Sequence, residues 1–236
     1  MENEINKYES GQVILIDKPL DWTSFDVVRK IRNTIRIKKV GHAGTLDPLA
    51  SGLLIVCTGK FTKKINEYMG MEKEYTGTIT LGAITPTYDL ESEPVDIKDT
   101  ASITAEQLNK ATQRFIGTIQ QVPPIHSAIK QAGKPVYLAA RQGLDVKMEP
   151  RKVTISQFCI EKIEMPVIHF RVICGTGTYI RSLAHDYGQA LECGGYLSSL
   201  RRTRIGIFEA AKAMSVDDFV NEIKSESSER QANPQL

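Results

Sequence analysis

The stretch from Gly41 to Gly52 constrains this chain more than any other: Gly-His-Ala-Gly-Thr-Leu-Asp-Pro-Leu-Ala-Ser-Gly. It places a carboxylate (Asp47), an imidazole (His42) and glycines at 41, 44 and 52 directly ahead of an apolar, strand-like run, Leu53 to Val56. Glycines let backbone approach backbone or a ligand closely. Asp47-Pro48 by itself has a structural reading, because Asp at an N-cap with Pro at the first helical position starts a helix well. The same carboxylate, with glycines leaving room beside it, is also suited to chemistry. Local sequence leaves both readings open.

The rest of the chain sets the frame. It has 236 residues, 41% hydrophobic and 25% charged, an ordinary globular composition with room for one large domain. No apolar run is long enough to span a bilayer, and the N-terminal segment has no apolar signal core, so a cytoplasmic location is expected. The four cysteines (Cys57, Cys159, Cys174, Cys193) are scattered without a C-x-x-C pair and read as thiols in a reducing compartment. Only His169 and Cys174 approach metal-ligand spacing, so no metal is expected. Net charge is +2, but the positive charge is patchy, which suits an anionic partner. One group runs from Arg29 to Lys39, a second comprises Lys147, Arg151 and Lys152, and a third Arg201, Arg202 and Arg204. Solvated helix faces would explain the first group nearly as well.

Periodicity and caps predict the elements. Gln12 to Asp17 reads as a strand stopped at Pro19. Thr23-Ser24-Phe25-Asp26 starts a helix reaching about Arg36, with Val27, Val28, Ile31 and Ile35 as its apolar stripe. Strands are predicted at 53–58 and 74–81, a helix over 63–69, an acidic loop over 88–100, and a capped helix from Thr104 to about Phe115. Residues 122–143 read as an excursion: stiff Pro123-Pro124, a strand over 125–130, a turn at Gly133, and a short helix over 136–142. Two antiparallel strands, 151–163 and 167–174, follow around Met165-Pro166, then a helix over 178–191 and a last helix capped by Ser215. Strands and helices mix without regular β-α-β alternation, so an α+β fold around a largely antiparallel mixed sheet is expected. One domain over 1–224 and a polar tail over 225–236 complete the expectation.

Several familiar sites are excluded. Gly59-Lys60 is followed by Phe61, which breaks the phosphate-loop pattern. Gly175-Thr176-Gly177 lacks the third glycine of a dinucleotide fingerprint, and no G-x-S-x-G occurs. His42 has the common alternative of a satisfied turn residue, and Tyr75 and Tyr179 that of packing with the hydroxyl at the rim. Arg181 opens the 178–191 helix, where a cation opposes the helix dipole, so a carboxylate partner is expected.

Taken together, the motifs resemble those of the bacterial tRNA pseudouridine-55 synthases, the TruB family. Gly41 to Leu54 resembles the family's active-site motif, and Lys18-Pro19 with Thr23-Ser24 its first motif. Lys73-Glu74-Tyr75 resembles the strand with its stacking tyrosine. Pro123-Pro124, Ser127 to Lys130 and Tyr137 to Gly143 resemble its RNA-gripping insertion. Gly175 to Arg181 and Leu200-Arg201-Arg202 resemble its two late motifs, and the matches keep their order over about residues 11–210.

The resemblance implies the pseudouridine synthase fold and conversion of uridine to pseudouridine at position 55 in the T-loop of tRNA, by base flipping and without cofactor, metal or nucleotide. It assigns catalysis to Asp47, with Arg181 keeping that carboxylate charged and Tyr75 stacking on the base and handling the C5 proton. His42, Tyr179, Leu200 and Lys18 become substrate-binding residues. His42 would fill space left by flipped nucleotides, Tyr179 and Leu200 would wall the pocket, and Lys18 would support the Asp47 loop or a phosphate. The expected partner is the tRNA T-stem-loop, with no membrane and a monomer by default. The chain ends about twenty-five residues after the last motif, so the family's further C-terminal RNA-binding (PUA) domain is expected to be missing and RNA binding to be weaker or more salt-sensitive. Two rivals are a guide-RNA-dependent synthase and a catalytically dead RNA chaperone on the same fold.

Overall fold

The computed structural model describes residues 7–127, 130–131, 134–135 and 148–232. In chain order the strands are β1 Val13–Lys18, β2 Val40–His42, β3 Ala50–Thr58, β4 Lys73–Leu81, β5 Gly117–Gln121, β6 Lys130–Gln131, β7 Lys134–Pro135, β8 Arg151–Glu164, β9 Val167–Cys174, β10 Gly195–Ile205, β11 Phe208–Glu209 and β12 Met214–Ser215. The α-helices are α1 Lys7–Ser10, α2 Ser24–Ile35, α3 Ile65–Gly70, α4 Ala105–Thr112, α5 Ile180–Ala190 and α6 Val216–Ala232. They form two compact units, Met1–Lys73 with Arg201–Leu236, and Glu74–Leu200.

In the first unit β1 pairs antiparallel with β3, from Val13 opposite Cys57 to Lys18 opposite Gly52. The short β2 also pairs antiparallel with β3, β12 adds to β1 in parallel, and the end of β10 folds back on β11. β3 is apolar along its length because it is covered on both faces. Leu54 and Val56 meet Ile14, Ile16, the α2 stripe (Val27, Ile31, Ile35) and Val216 and Phe219 of α6. Leu53, Ile55 and Cys57 point the other way, to Tyr68 and Ile205. α2 starts where the sequence requires: Thr23 and Asp26 form a reciprocal capping box. It ends at Arg36, whose φ of 56° leaves the helical region.

The second unit is a sheet with strand order β10, β4, β9, β8, β5, in which β9 with β8 and β8 with β5 pair antiparallel. α4 and α5 supply its helical cover. Phe158 meets Phe115, Phe170 and Tyr187 edge to face, and the Tyr187 hydroxyl donates to Leu108 O at 2.8 Å. α5 approaches β10 through glycine: a Cβ on Gly188 would stand 2.1 Å from Gly195 N.

The expected α+β class holds, with four differences. Asp47-Pro48 starts no helix; it is a turn into β3, closed by Ala50 N–H donating to Asp47 O at 3.1 Å. β5 and β10 have no counterpart in the sequence reading, and residues 125–127 bend where a strand was expected. α6 continues to Ala232, through much of the stretch read as a tail. The short helix expected over 136–142 lies outside the described residues. No described helix is long and apolar enough to cross a membrane.

Candidate functional site

In the first unit the loop between β2 and β3 presents Asp47. Asp at the first position and Pro at the second suit a tight turn as well as they suit a helix start, and here the Leu49-to-Val56 continuation selects the strand. Asp47 is half-buried, and its neighbours are pinned one after another. Leu46 N–H donates to Ser24 Oγ at 2.9 Å, and the same hydroxyl donates to Leu46 O at 3.1 Å. Pro48 O accepts Asp21 N–H at 2.9 Å and lies 3.4 Å from Lys18 Nζ.

Lys18 is fully buried; its ammonium also donates to Pro19 O at 2.7 Å and Trp22 O at 2.5 Å. Burial brings it down to about 8, against the nearby charge of Asp47, which pulls it up. Through Pro48 O, Lys18 reaches the loop that carries Asp47.

Arg202 lies beneath the same loop, 1% exposed. Its guanidinium donates to Leu53 O at 2.8 Å, Gly44 O at 3.0 Å and Thr45 O at 3.5 Å. The glycines make this approach possible. Gly44 has φ +90°, and Gly52 has φ +101° with a Cβ that would stand 2.3 Å from Arg202 O.

Of the third basic group, Arg202 is internal, while Arg201 and Arg204 are partly exposed and paired with carboxylates. Arg201 makes two bonds to Asp17, at 3.0 and 2.7 Å, and Arg204 bonds Glu72 at 3.1 Å. His42, on β2, is held below the usual imidazole range by burial and then by Arg202. It is thus neutral at neutral pH.

In the second unit the start of α5 organises the other candidates. Tyr179 occupies the N-cap position; its N–H donates to Gln121 Oε1 at 2.8 Å while Gln121 Nε2 donates to Tyr179 O at 3.1 Å. Ser182 Oγ donates to Val122 O at 2.7 Å. The opening of the 122–143 excursion is thereby tied to α5.

Arg181 is 4% exposed, donates to His126 O at 2.9 Å and faces Asp89 at 3.6 Å. Asp89, also buried, accepts Glu91 N–H at 3.0 Å on its other oxygen. Sequence reasoning missed Asp89 inside an acidic stretch read as a loop. The Arg181 position at a helix start was the signal that a buried carboxylate had to exist somewhere.

Tyr75, on β4, is 7% exposed, more enclosed than a rim tyrosine. Leu200 is half-buried near the end of the second-unit part of β10, beside Ser198 and Ser199, whose hydroxyls both lie 2.8 Å from Thr78 Oγ1. Among the described residues no group of three His, Cys, Asp or Glu is disposed to hold a metal.

Solved structures place this arrangement in a class. The chain superposes on a chain of a Cbf5-Nop10-Gar1 complex with a TM-score of 0.71 at 31% identity, covering 91% of this chain and 54% of that one. A chain from an H/ACA RNP bound to a substrate RNA containing 2'-deoxyuridine gives 0.67 at 29% identity, covering 91% and 53%. This chain thus spans about half the length of those solved chains. The architecture is that of the pseudouridine synthases.

Residues 32–180 match the TruB family pseudouridylate synthase N-terminal domain, and residues 181–234 the tRNA pseudouridylate synthase B C-terminal domain. The tRNA pseudouridine synthase B of Flavobacterium johnsoniae is 50% identical over 220 residues, covering 90% of this chain and 96% of that protein. The enzyme of the same name from Chloroherpeton thalassium is 46% identical, covering 94% and 95%. The chain belongs to the TruB family of pseudouridylate synthases, and it is an enzyme of the isomerase class.

Proposed function

We propose that this chain converts uridine 55 in the T-loop of tRNA to pseudouridine, acting as a monomer in the cytoplasm on the T-stem-loop and needing no cofactor. The observation that carries the reading is the Asp47 turn: a family-motif carboxylate held on a loop whose neighbours are bonded to buried Lys18, Ser24 and Arg202. In the isomerisation the C1′–N1 bond breaks, a C1′–C5 bond forms, the C5 proton is lost and N1 gains one. A group that must meet a reacting atom repeatedly at one geometry gains from such a rigid mount.

Asp47 is the catalytic carboxylate in this reading, and Arg181 acts with it to keep it charged. A uridine inside a folded loop must leave its stack to be reached. Tyr75 then stacks on the extruded base, a contact worth about 1–3 kcal/mol, and assists removal of the C5 proton. His42, neutral, fills space among the flipped nucleotides, while Tyr179 and Leu200 wall the pocket. Lys18 serves substrate binding indirectly, through the loop. Residues 1–224 act as one catalytic domain, with 122–143 gripping RNA and 225–236 outside it.

The likeness to a chain of an H/ACA RNP favours one rival, a synthase that works only inside a ribonucleoprotein. Incubation of the purified protein alone with unmodified tRNA, followed by mapping of pseudouridine along the RNA, separates the two. Modification confined to position 55 is expected; none without added guide RNA favours the rival.

A further inference from the structure

Buried positive charge is expensive unless it is bonded or paired, yet the first unit holds two such cations around one loop. Arg202 and Lys18 are 1% and 0% exposed, and the bonds each makes all end on backbone carbonyls. Arg202 holds the loop at Gly44 and Thr45, ahead of Asp47, and Lys18 holds it at Pro48, behind it. Leu53 O, the third Arg202 partner, lies on β3 just beyond the loop. A guanidinium is suited to this: its planar fork presents Nε, Nη1 and Nη2 in fixed directions to Leu53 O, Thr45 O and Gly44 O, where an ammonium offers a single nitrogen. Enclosed in the unit's interior, Arg202 is not placed to touch RNA.

Resting on the assignment of Asp47 as the catalytic carboxylate, we propose that Arg202 is a positioning residue for the reaction, fixing the Asp47 loop through the Gly44 and Thr45 carbonyls against β3 at Leu53 O and supplying, separately from Arg181, buried positive charge that favours the ionised carboxylate. Electrostatics link the same groups: Asp47 and Arg202 both act on Lys18, with opposite sign. The two contributions of Arg202 can be divided by substitution. Arg202→Lys keeps the charge and loses the fork, Arg202→Met loses both, and Ser24→Ala loosens the loop with all charges in place.

The test is steady-state pseudouridine formation on unmodified tRNA as a function of pH for these three variants and the wild type, with Asp47→Asn as control. Arg202→Lys is expected to lower kcat roughly tenfold to a hundredfold with KM unchanged, as a small misplacement of a catalytic group does. Ser24→Ala is expected to lower kcat with no movement of the acidic limb of the profile. Arg202→Met is expected to move that limb upward by about one pH unit as well.

A folded Arg202→Met with the wild-type acidic limb overturns the charge contribution. Wild-type kcat in Arg202→Lys overturns the positional one, and does so whether or not Arg202→Met folds. A rise in KM alone in Arg202→Lys overturns the proposal in favour of direct RNA contact. If instead the wild type forms no pseudouridine, or Asp47→Asn retains full activity, it is the assignment of Asp47 that fails.

Discussion

Arg181 shows how a single residue can be read in two directions. Its place at the start of α5 opposes the helix dipole, and the second unit supplies a buried carboxylate, Asp89, at 3.6 Å. Removing one partner of a buried ion pair leaves the other charge uncompensated, at about 3–5 kcal/mol. Arg181→Ala is expected to lower the unfolding free energy measured in urea by that amount and to reduce turnover. If stability alone falls and turnover in the folded fraction is intact, Arg181 has no part in catalysis.

Tyr75→Phe should keep RNA affinity, measured by filter binding, and lose turnover, because the ring remains and the hydroxyl goes. Full activity would remove the proton role.

Lys18 gives a pH signature. Burial holds it at about 8 against an ordinary 10.5, so between those values the unfolded chain binds a proton that the folded one does not. Stability from this group therefore rises as pH climbs from about 8 to 10.5 and is lost as pH falls back through 8, a swing on the order of 3 kcal/mol. The denaturation midpoint of the wild type should gain on that of Lys18→Met across this window; a constant gap would contradict the buried, charge-suppressed lysine.

At the scale of elements, what could be read from sequence was what local physics decides. The capping boxes of α2 and α4, the apolar stripe of α2 and the alternation in β9 were visible, because caps and periodicity are short-range. β10 was not. Its C-terminal half is Arg201-Arg202-Thr203-Arg204, which reads as a basic group suited to an anionic partner, and only the folded unit supplies the carbonyls that bury Arg202 and the carboxylates that pair with Arg201 and Arg204. Asp47-Pro48 misleads for a related reason: the dipeptide fits both a helix start and a turn, and the following strand decides.

The glycine before Leu53 belongs to this scale too. Gly52→Ala forces a Cβ against Arg202 O at a positive φ and is expected to cost about 2–4 kcal/mol. Gly70→Ala, with open space around it and an ordinary φ, should leave the thermal midpoint near the wild-type value. Equal effects of the two would contradict the close packing of β3 on β10.

For the whole molecule, sequence carried the class and the family, since six ordered motifs span most of the chain and the family match covers 32–234. It carried less of the supporting structure. Asp89, the pairing of Arg201 and Arg204 with Asp17 and Glu72, and the double hydrogen bond of Ser24 to Leu46 depend on partners distant in the chain. In the first unit buried cations and a buried hydroxyl hold the loop that bears Asp47, and the chemistry proposed for Asp47 relies on that rigidity. The most direct measurement is tritium release from unmodified tRNA labelled at uridine C5, wild type against Asp47→Asn. The expected result is one equivalent of tritium released per tRNA by the wild type and none above background by Asp47→Asn, with RNA affinity retained. Release by both at similar rates, or by neither, would contradict Asp47-dependent isomerisation.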